Sequence, residues 1–372
     1  MAGFRTALAT GPWQTAVESC LATLGPQPGG SLGFLYVTDH LAGALPAILE
    51  ALTKGTGTAD WVGTVGLGVA GQDAGGAPAE PFDEPALAVM LTDLPADSYR
   101  LIDRIEGSAA SFAAASGAWL AAAQPTLGLV HGDPRNPRAS AIVADIATAT
   151  GAYLVGGLTA SRAGLPQLAG TLTEGGVSGV LFAQGVGVAT GLSQGCTPIG
   201  PARAVTEADR TIVKAIDGRP AVEALRQDLG DAPTEGEPVL IALPVAGSDT
   251  ADYLVRNLGG IDPARGWLAV GAEVAAGQSI RFVRRNRAAA IADLERMLDR
   301  LGRQAGGNAG AIKGGVYVSC VARGPHLFGP DAAELKLIRA RLGNFPLVGF
   351  FANGEICRGR LYTHTGVLTL FL

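Results

Sequence analysis

Short apolar runs alternate with amphipathic stretches along this chain, and one combination recurs. An apolar run enters a polar loop, an amphipathic segment follows, and a second apolar run closes on Val-Gly. The first copy reads 32–37, Thr38-Asp39-His40, 45–54 and Trp61-Val62-Gly63. The second reads 127–130, His131-Gly132-Asp133-Pro134, 139–148 and Leu154-Val155-Gly156. The third reads 316–321, Arg323-Gly324-Pro325-His326, 332–342 and Leu347-Val348-Gly349. More β-prone sequence follows each, at 87–91, 179–191 and 365–372, and a weaker fourth copy is predicted from 239–245 through 268–271 to 279–283.

Leu45, Ile48, Leu49 and Leu52 fall at helical spacing, so the first amphipathic stretch predicts a helix. Pro330-Asp331 and Gly343 bracket the third as start and stop. The apolar runs, bounded by Gly, Pro and Asp, predict strands. Strands alternating with helices imply α/β layers, and the trailing β-prone segments imply mixed sheets. The expected fold class is α/β, with internally duplicated β-α-β-β units forming two mixed-sheet halves. The seam is expected in the Gly/Pro/acid stretch 230–238.

Composition narrows the function. The 372 residues are 48% apolar and only 16% charged, which supports a large core and excludes disorder. A net charge of -5 without a basic segment argues against nucleic acid as a partner. Mean hydropathy is +0.27, but the alanine-rich runs are broken by Ser, Gln and Gly. None reaches the roughly 18 apolar residues that a membrane span needs, and no signal peptide is visible, so the expectation is cytoplasmic. Cys20, Cys196, Cys320 and Cys357 lie far apart, without zinc or disulfide spacing, and read as reduced thiols.

Catalytic motifs fail on context. Gly66-x-Gly68-x-x-Gly71 runs into Gly- and Pro-rich sequence that cannot open a helix over a pyrophosphate. Gly191-x-Ser193-x-Gly195 resembles a nucleophile elbow, but Pro198 and Pro201 forbid the helix that must follow. Polar residues at strand ends remain: Asp39 and His40, His131 and Asp133, Arg323 and His326, with Asn353 and Glu355 after the last Val-Gly run. Ligands bind at the carboxyl ends of strands in α/β folds, so as a group these loops are candidates for one pocket. Taken singly, Asp39 and Asp133 read equally as helix caps and the histidines as ordinary loop residues. Glu355 lies between Phe350-Phe351 and Ile356-Cys357, where an unpaired carboxylate is costly, and Arg323 is its expected partner.

Several segments, in order, resemble FIST proteins. They are Val205-Thr206-Glu207-Ala208 through Ile216-Asp217-Gly218-Arg219-Pro220-Ala221-Val222-Glu223-Ala224-Leu225, 277–285, Ser319-Cys320-Val321-Ala322-Arg323-Gly324, Pro346 to Glu355, and 361–371. Val62-Gly63 and Val155-Gly156-Gly157 match the N-terminal FIST domain more loosely. The resemblance implies a FIST N-type domain over 28–225 and a FIST C-type domain over 226–372. It also implies a bacterial sensory role in which a small ligand, an amino acid among the candidates, is bound for signal transduction. Mapped onto the signature, it picks out Cys320, Arg323, Gly349, Asn353 and Glu355.

The first reading is a small-molecule sensor without catalytic output or cofactor, acting through a separate signalling partner. Its expected ligand-binding residues are Arg323, Glu355, Asn353, Gly349, Cys320, His131, Asp133 and Asp39. Arg323 would fork onto a ligand carboxylate and Glu355 would receive an amine. A second reading is a haem-binding nitric oxide sensor, with His326, His364 or His131 as axial ligand. A third is an enzyme with Cys320 or Cys357 as nucleophile, which requires a depressed thiol pKa.

Overall fold

A computed structural model describes residues 3–25, 31–230, 238–245, 253–307 and 309–372. The chain divides into two compact units: Met1–Ser193 together with Leu294–Leu372, and Gln194–Asp293.

The first copy runs β1 (Arg5–Thr10), α1 (Trp13–Leu24), β2 (Leu32–Thr38), α2 (Leu45–Thr56), β3 (Asp60–Gly66), β4 (Val69–Gln72), β5 (Pro78–Ala79) and β6 (Ala86–Thr92). The second runs β7 (Tyr99–Ile105), α3 (Ala110–Ala115), α4 (Gly117–Ala123), β8 (Leu127–Gly132), α5 (Ala139–Thr150), β9 (Tyr153–Leu158), β10 (Gln167–Ala169), β11 (Thr171–Thr173) and β12 (Val177–Phe182). The third opens with β13 (Val188–Ser193). The second unit then intervenes, with β14 (Cys196–Pro198), β15 (Arg203–Asp209), β16 (Ile212–Ile216), β17 (Arg219–Pro220), α6 (Ala221–Leu229), β18 (Val239–Pro244), β19 (Tyr253–Asp262), β20 (Trp267–Val270) and β21 (Ser279–Arg285). The third copy resumes with α7 (Arg287–Gln304), inside which the unit boundary falls, β22 (Gly314–Cys320), α8 (Ala333–Leu342), β23 (Leu347–Ala352), β24 (Glu355–Cys357), β25 (Arg360–Tyr362) and β26 (Gly366–Phe371).

The predicted strand-helix-strand elements are present in all three copies, and the fold is mixed α/β. The three sheets of the first unit share one plan: β1-β6-β2-β3-β10-β11, β7-β12-β8-β9-β24-β25 and β13-β26-β22-β23-β4-β5. Each has a parallel pair at its centre (β2 with β3, β8 with β9, β22 with β23), joined through a helix. Each also ends on a hairpin borrowed from another copy. The first copy lends β4–β5 to the third, the second lends β10–β11 to the first, and the third lends β24–β25 to the second. The exchange is cyclic.

One glycine per copy sits at the join. Gly63 is flanked by Leu35 and the guest residue Leu168, Gly156 by Val130 and Ile356, and Gly349 by Tyr317 and Ala70. A Cβ on these glycines would fall 1.7, 1.9 and 1.8 Å from the carbonyl oxygens of Leu35, Val130 and Tyr317. The repeated Val-Gly is therefore a steric requirement: the neighbouring backbone occupies the space of a side chain.

Strand residues alternate between two apolar environments. Leu35 and Val37 pack with Ile48 and Leu52 of α2 and Val17 and Cys20 of α1 on one face. Phe34 and Tyr36 point the other way, where the sheets meet. There Tyr36 stacks on Phe350 at 5.0 Å, and Phe371 lies 6.1 Å from Phe34 and 5.3 Å from Phe182. Gly57 and Gly151 end α2 and α5 in the left-handed region, each at φ 71°.

The second unit is a closed antiparallel ring, β21-β15-β16-β20-β19-β18 and back to β21. Its interior holds Val213, Ile241, Leu268, Ile280 and Phe282, with α6 contributing Val222 and Leu225. The expected fourth copy is not there. Its segments are β18, β20 and β21, and a strand, β19, fills the place between the first two where a helix was needed. Of the expected seam, 231–237 lie outside the described residues; the flanking α6 and β18 belong to the same unit. Among the described residues no helix is long and apolar enough to cross a membrane.

The glycine contact makes a prediction. Gly156→Ala and Gly349→Ala should each cost at least the ~1–3 kcal/mol typical of overpacking. Gly185→Ala, whose Cβ meets nothing within 4 Å, should stay within about 0.5 kcal/mol of the parent. Urea denaturation of the three variants checks this; equal midpoints would contradict it.

Candidate functional site

The strand-end loops place an arginine-carboxylate clamp in every copy. After β2, Asp39 accepts from the Arg162 backbone N–H at 3.2 Å and from its Nε at 2.7 Å, and Arg162 reaches on to Asp83. After β8, Asp133 accepts from the Arg135 backbone at 2.8 Å, from its Nη2 at 2.7 Å and from the Gly175 N–H at 2.8 Å. Arg135 extends to Glu174. For both aspartates burial pushes the carboxyl pKa upward, but the arginine contacts outweigh it and hold them below the usual range. Neither aspartate caps the following helix through its side chain.

The third clamp is buried. Arg323 and Glu334 are both fully inaccessible and bond through Nε at 2.9 Å and Nη2 at 2.6 Å to Oε1. Tyr317 donates its hydroxyl to the same carboxylate, Ser319 donates at 3.1 Å and the Gly324 N–H at 3.3 Å. Arg323 also donates to the Ser193 carbonyl at 3.3 Å and lies 4.9 Å from the Phe328 ring centre. The expected Arg323–Glu355 pair is therefore corrected: Glu334, from the first turn of α8, holds the guanidinium. The chain leaves β22 at Cys320 and turns back, with the Arg323 N–H on the Cys320 carbonyl at 2.8 Å. That turn points Arg323 inward at α8.

Glu355 is also fully buried. Its Oε2 accepts from the Thr365 hydroxyl at 2.7 Å and the Thr365 N–H at 3.0 Å, while Oε1 accepts no hydrogen bond from the described residues. Burial raises its pKa to about 7, and Thr365, Arg323 and the Cys320 thiol only partly offset this. Burial, with Glu355 nearby, pushes the Cys320 thiol far up. Cys357 is likewise buried, 3.2 Å from the Tyr153 hydroxyl.

The remaining candidates scatter. His131 sits at the centre of the three sheets, its Nε2 3.2 Å from the Tyr36 hydroxyl and its ring 5.6 Å from that of Phe350. Desolvation lowers its pKa to about 3, so it stays neutral. Gly349 is the steric join, Asn353 is exposed in the β23–β24 turn, and His364 occupies a left-handed position beside Thr365. Arg323, Cys320 and Glu355 thus come together, whereas Asp39, Asp133 and His131 lie elsewhere.

A cavity of about 1120 Å³ opens above the third clamp. Glu80, Phe82, Asp83, Arg162, His326 and Lys336 line it, on loops of the first two copies and on the third. His326 meets the edge of Phe82 at 4.9 Å. Burial and the neighbouring Glu334 raise the Glu80 pKa to about 8, partly countered by Lys336. The charge on Glu334 is thus felt at the cavity wall. Sequence reasoning missed Glu334, Glu80 and Arg162. Glu334 looks like an ordinary first-turn acid, and the other two lie in loops without pattern.

Loss of the buried carboxylate should be severe. Glu334→Gln leaves Arg323 charged and uncompensated, so stability should fall by about 3–5 kcal/mol. Ser319→Ala, which removes one neutral donor, should cost about 1 kcal/mol. Equilibrium unfolding in urea checks both, and a Glu334→Gln loss no larger than that of Ser319→Ala would contradict the assignment.

Family models match almost the whole chain: the FIST N domain over residues 31–219 and the FIST C domain over 221–358. Their junction falls inside the second compact unit. The uncharacterized protein Rv0628c of Mycobacterium tuberculosis is 37% identical over 174 residues, 44% of this chain and 45% of that protein. This match therefore spans less than half of the relative. The uncharacterized protein Mb0898c of Mycobacterium bovis is 30% identical over 386 residues, 96% of this chain and 95% of its own length. FIST domains are sensory, small-ligand-binding domains of signal transduction. With both family domains matched in order and a relative aligned nearly end to end, the chain belongs to the FIST family.

Proposed function

We propose that this chain is a sensory protein that binds a small zwitterionic metabolite, an amino acid or a close analogue, without transforming it. It would pass the signal to a separate protein. The cavity lined by Arg162, Lys336, Asp83 and His326 carries this reading, because it presents charged side chains of both signs around one concave surface. Lys336 can face a carboxylate, and the solvent-exposed Arg162–Asp83 ion pair can open to take the two charges of a zwitterion. The earlier expectation that Arg323 meets the ligand gives way here, since its guanidinium is buried against Glu334. Arg323 does not line the cavity.

The other readings draw less support. A haem needs a wide apolar slot, whereas His131 is packed against Tyr36 and Phe350. His326 faces a wall that also carries Glu80, Asp83 and Asp331. A cysteine nucleophile needs an accessible thiolate, and both Cys320 and Cys357 are buried.

Thermal unfolding with a panel of amino acids at millimolar concentration tests the proposal. A ligand at 100 times its Kd should stabilise the protein by about 2.7 kcal/mol, with Tm rising as concentration rises. Lys336→Ala, an exposed residue outside the buried clamp, should weaken that response at least fivefold. No shift across the panel, or an undiminished shift in Lys336→Ala, would refute the assignment to this cavity.

A further inference from the structure

The cyclic exchange puts three residues in one structural position. Because Ala70, Leu168 and Ile356 face the three join glycines, the residue before each is also equivalent: Val69, Gln167 and Glu355. All three are fully buried. The first guest hairpin carries a hydrocarbon there and the second a neutral amide; only the third carries a group that can ionise. Glu355 also lies where a hairpin from one copy enters the sheet of another, opposite Gly157 of β9.

What stands ready to stabilise its charge does not offset its burial. Thr365 gives two donors to Oε2, and Oε1 receives none from the described residues. Across the hairpin its partner is Tyr362 of β25, a neutral phenol. From the end of β22 comes the Cys320 thiol, which is held protonated and favours the ionised carboxylate only weakly, the smallest of the contributions that lower its pKa. His364 adjoins Thr365 just before β26. The nearby guanidinium, Arg323, is committed to Glu334.

We propose that Glu355 is a proton-operated latch: when neutral it holds the β24–β25 hairpin in the sheet of the second copy, and on ionising it loosens that hairpin. The sensor would therefore answer to proton activity as well as to its ligand. The direction follows from linkage. Burial raises the carboxyl from 4.5 to about 7 in the folded hairpin, so the closed form holds its proton more tightly than an opened one. Closure is fully favoured below the unperturbed value and is progressively lost as pH climbs through the interval to the raised one. Between pH 6 and pH 8 the open population should grow about tenfold.

Hydrogen exchange of the intact protein, corrected for intrinsic chemical rates, reads this out with controls in the same molecule. Amides of Glu355–Cys357 and Arg360–Tyr362 should exchange about tenfold faster at pH 8 than at pH 6, while those of β4 and β10 should not change. Glu355→Gln, which copies the Gln167 position, should abolish the difference. Equal pH responses in all three hairpins would overturn the latch, as would a response that survives in Glu355→Gln. Should that variant fail to fold, the comparison among the three wild-type hairpins decides alone.

Discussion

In the first unit a glycine stands between its own partner strand and a borrowed one, three times over, with no room for a side chain at any of them. The carbonyl oxygens of Leu35, Val130 and Tyr317 fill the space where a Cβ would project. That approach lets each parallel pair lie close and leaves its outer edge open to a hairpin from another copy. An unprotected sheet edge is a liability, and here each is covered by the next copy's hairpin. The sheets also share one interior, in which Tyr36, His131 and Phe350 interlock and Phe371 packs against Phe34 and Phe182. Backbone sterics at three glycines thereby set the geometry on which the strand-end loops depend.

Those loops solve one electrostatic problem in two ways. In the first two copies the carboxylate follows the strand and the arginine comes from an exposed loop. In the third the arginine follows the strand and the carboxylate comes from a helix, with both groups out of water. A buried pair is costly to break, which favours rigidity over adaptability.

Much of the fold could be read from the chain because the hydrophobic pattern follows backbone periodicity. The helix at 45–54 was marked by Leu45, Ile48 and Leu52, and it extends to Thr56 before Gly57. The repeated Val-Gly was visible too, although its cause was not, since a carbonyl pressed against Gly349 leaves no local trace. The fourth copy failed because a buried strand of an antiparallel ring and one of a parallel pair look alike as short apolar runs. The site was less legible. Arg323 and Glu355 were rightly seen as polar residues in apolar surroundings, yet their partners depend on which way the chain turns after Cys320. Glu334 lies eleven residues beyond Arg323, on a helix whose inward face is not purely apolar.

The exchange of hairpins also bears on how the molecule is made. No copy can complete its sheet from its own sequence, and the guest for the second copy lies at Glu355–Tyr362, beyond the whole second unit in chain order. The third sheet further needs β13 and β22, which are separated by the whole second unit. Contacts this distant in sequence slow assembly, because chain-closure entropy must be met before any pairing is gained. The second unit, with a continuous ring of its own, can form while the first still waits for strands not yet synthesised. The first unit is therefore complete only once the segment after the second unit has joined it, and the two family domains, although separable along the chain, do not coincide with the two compact units.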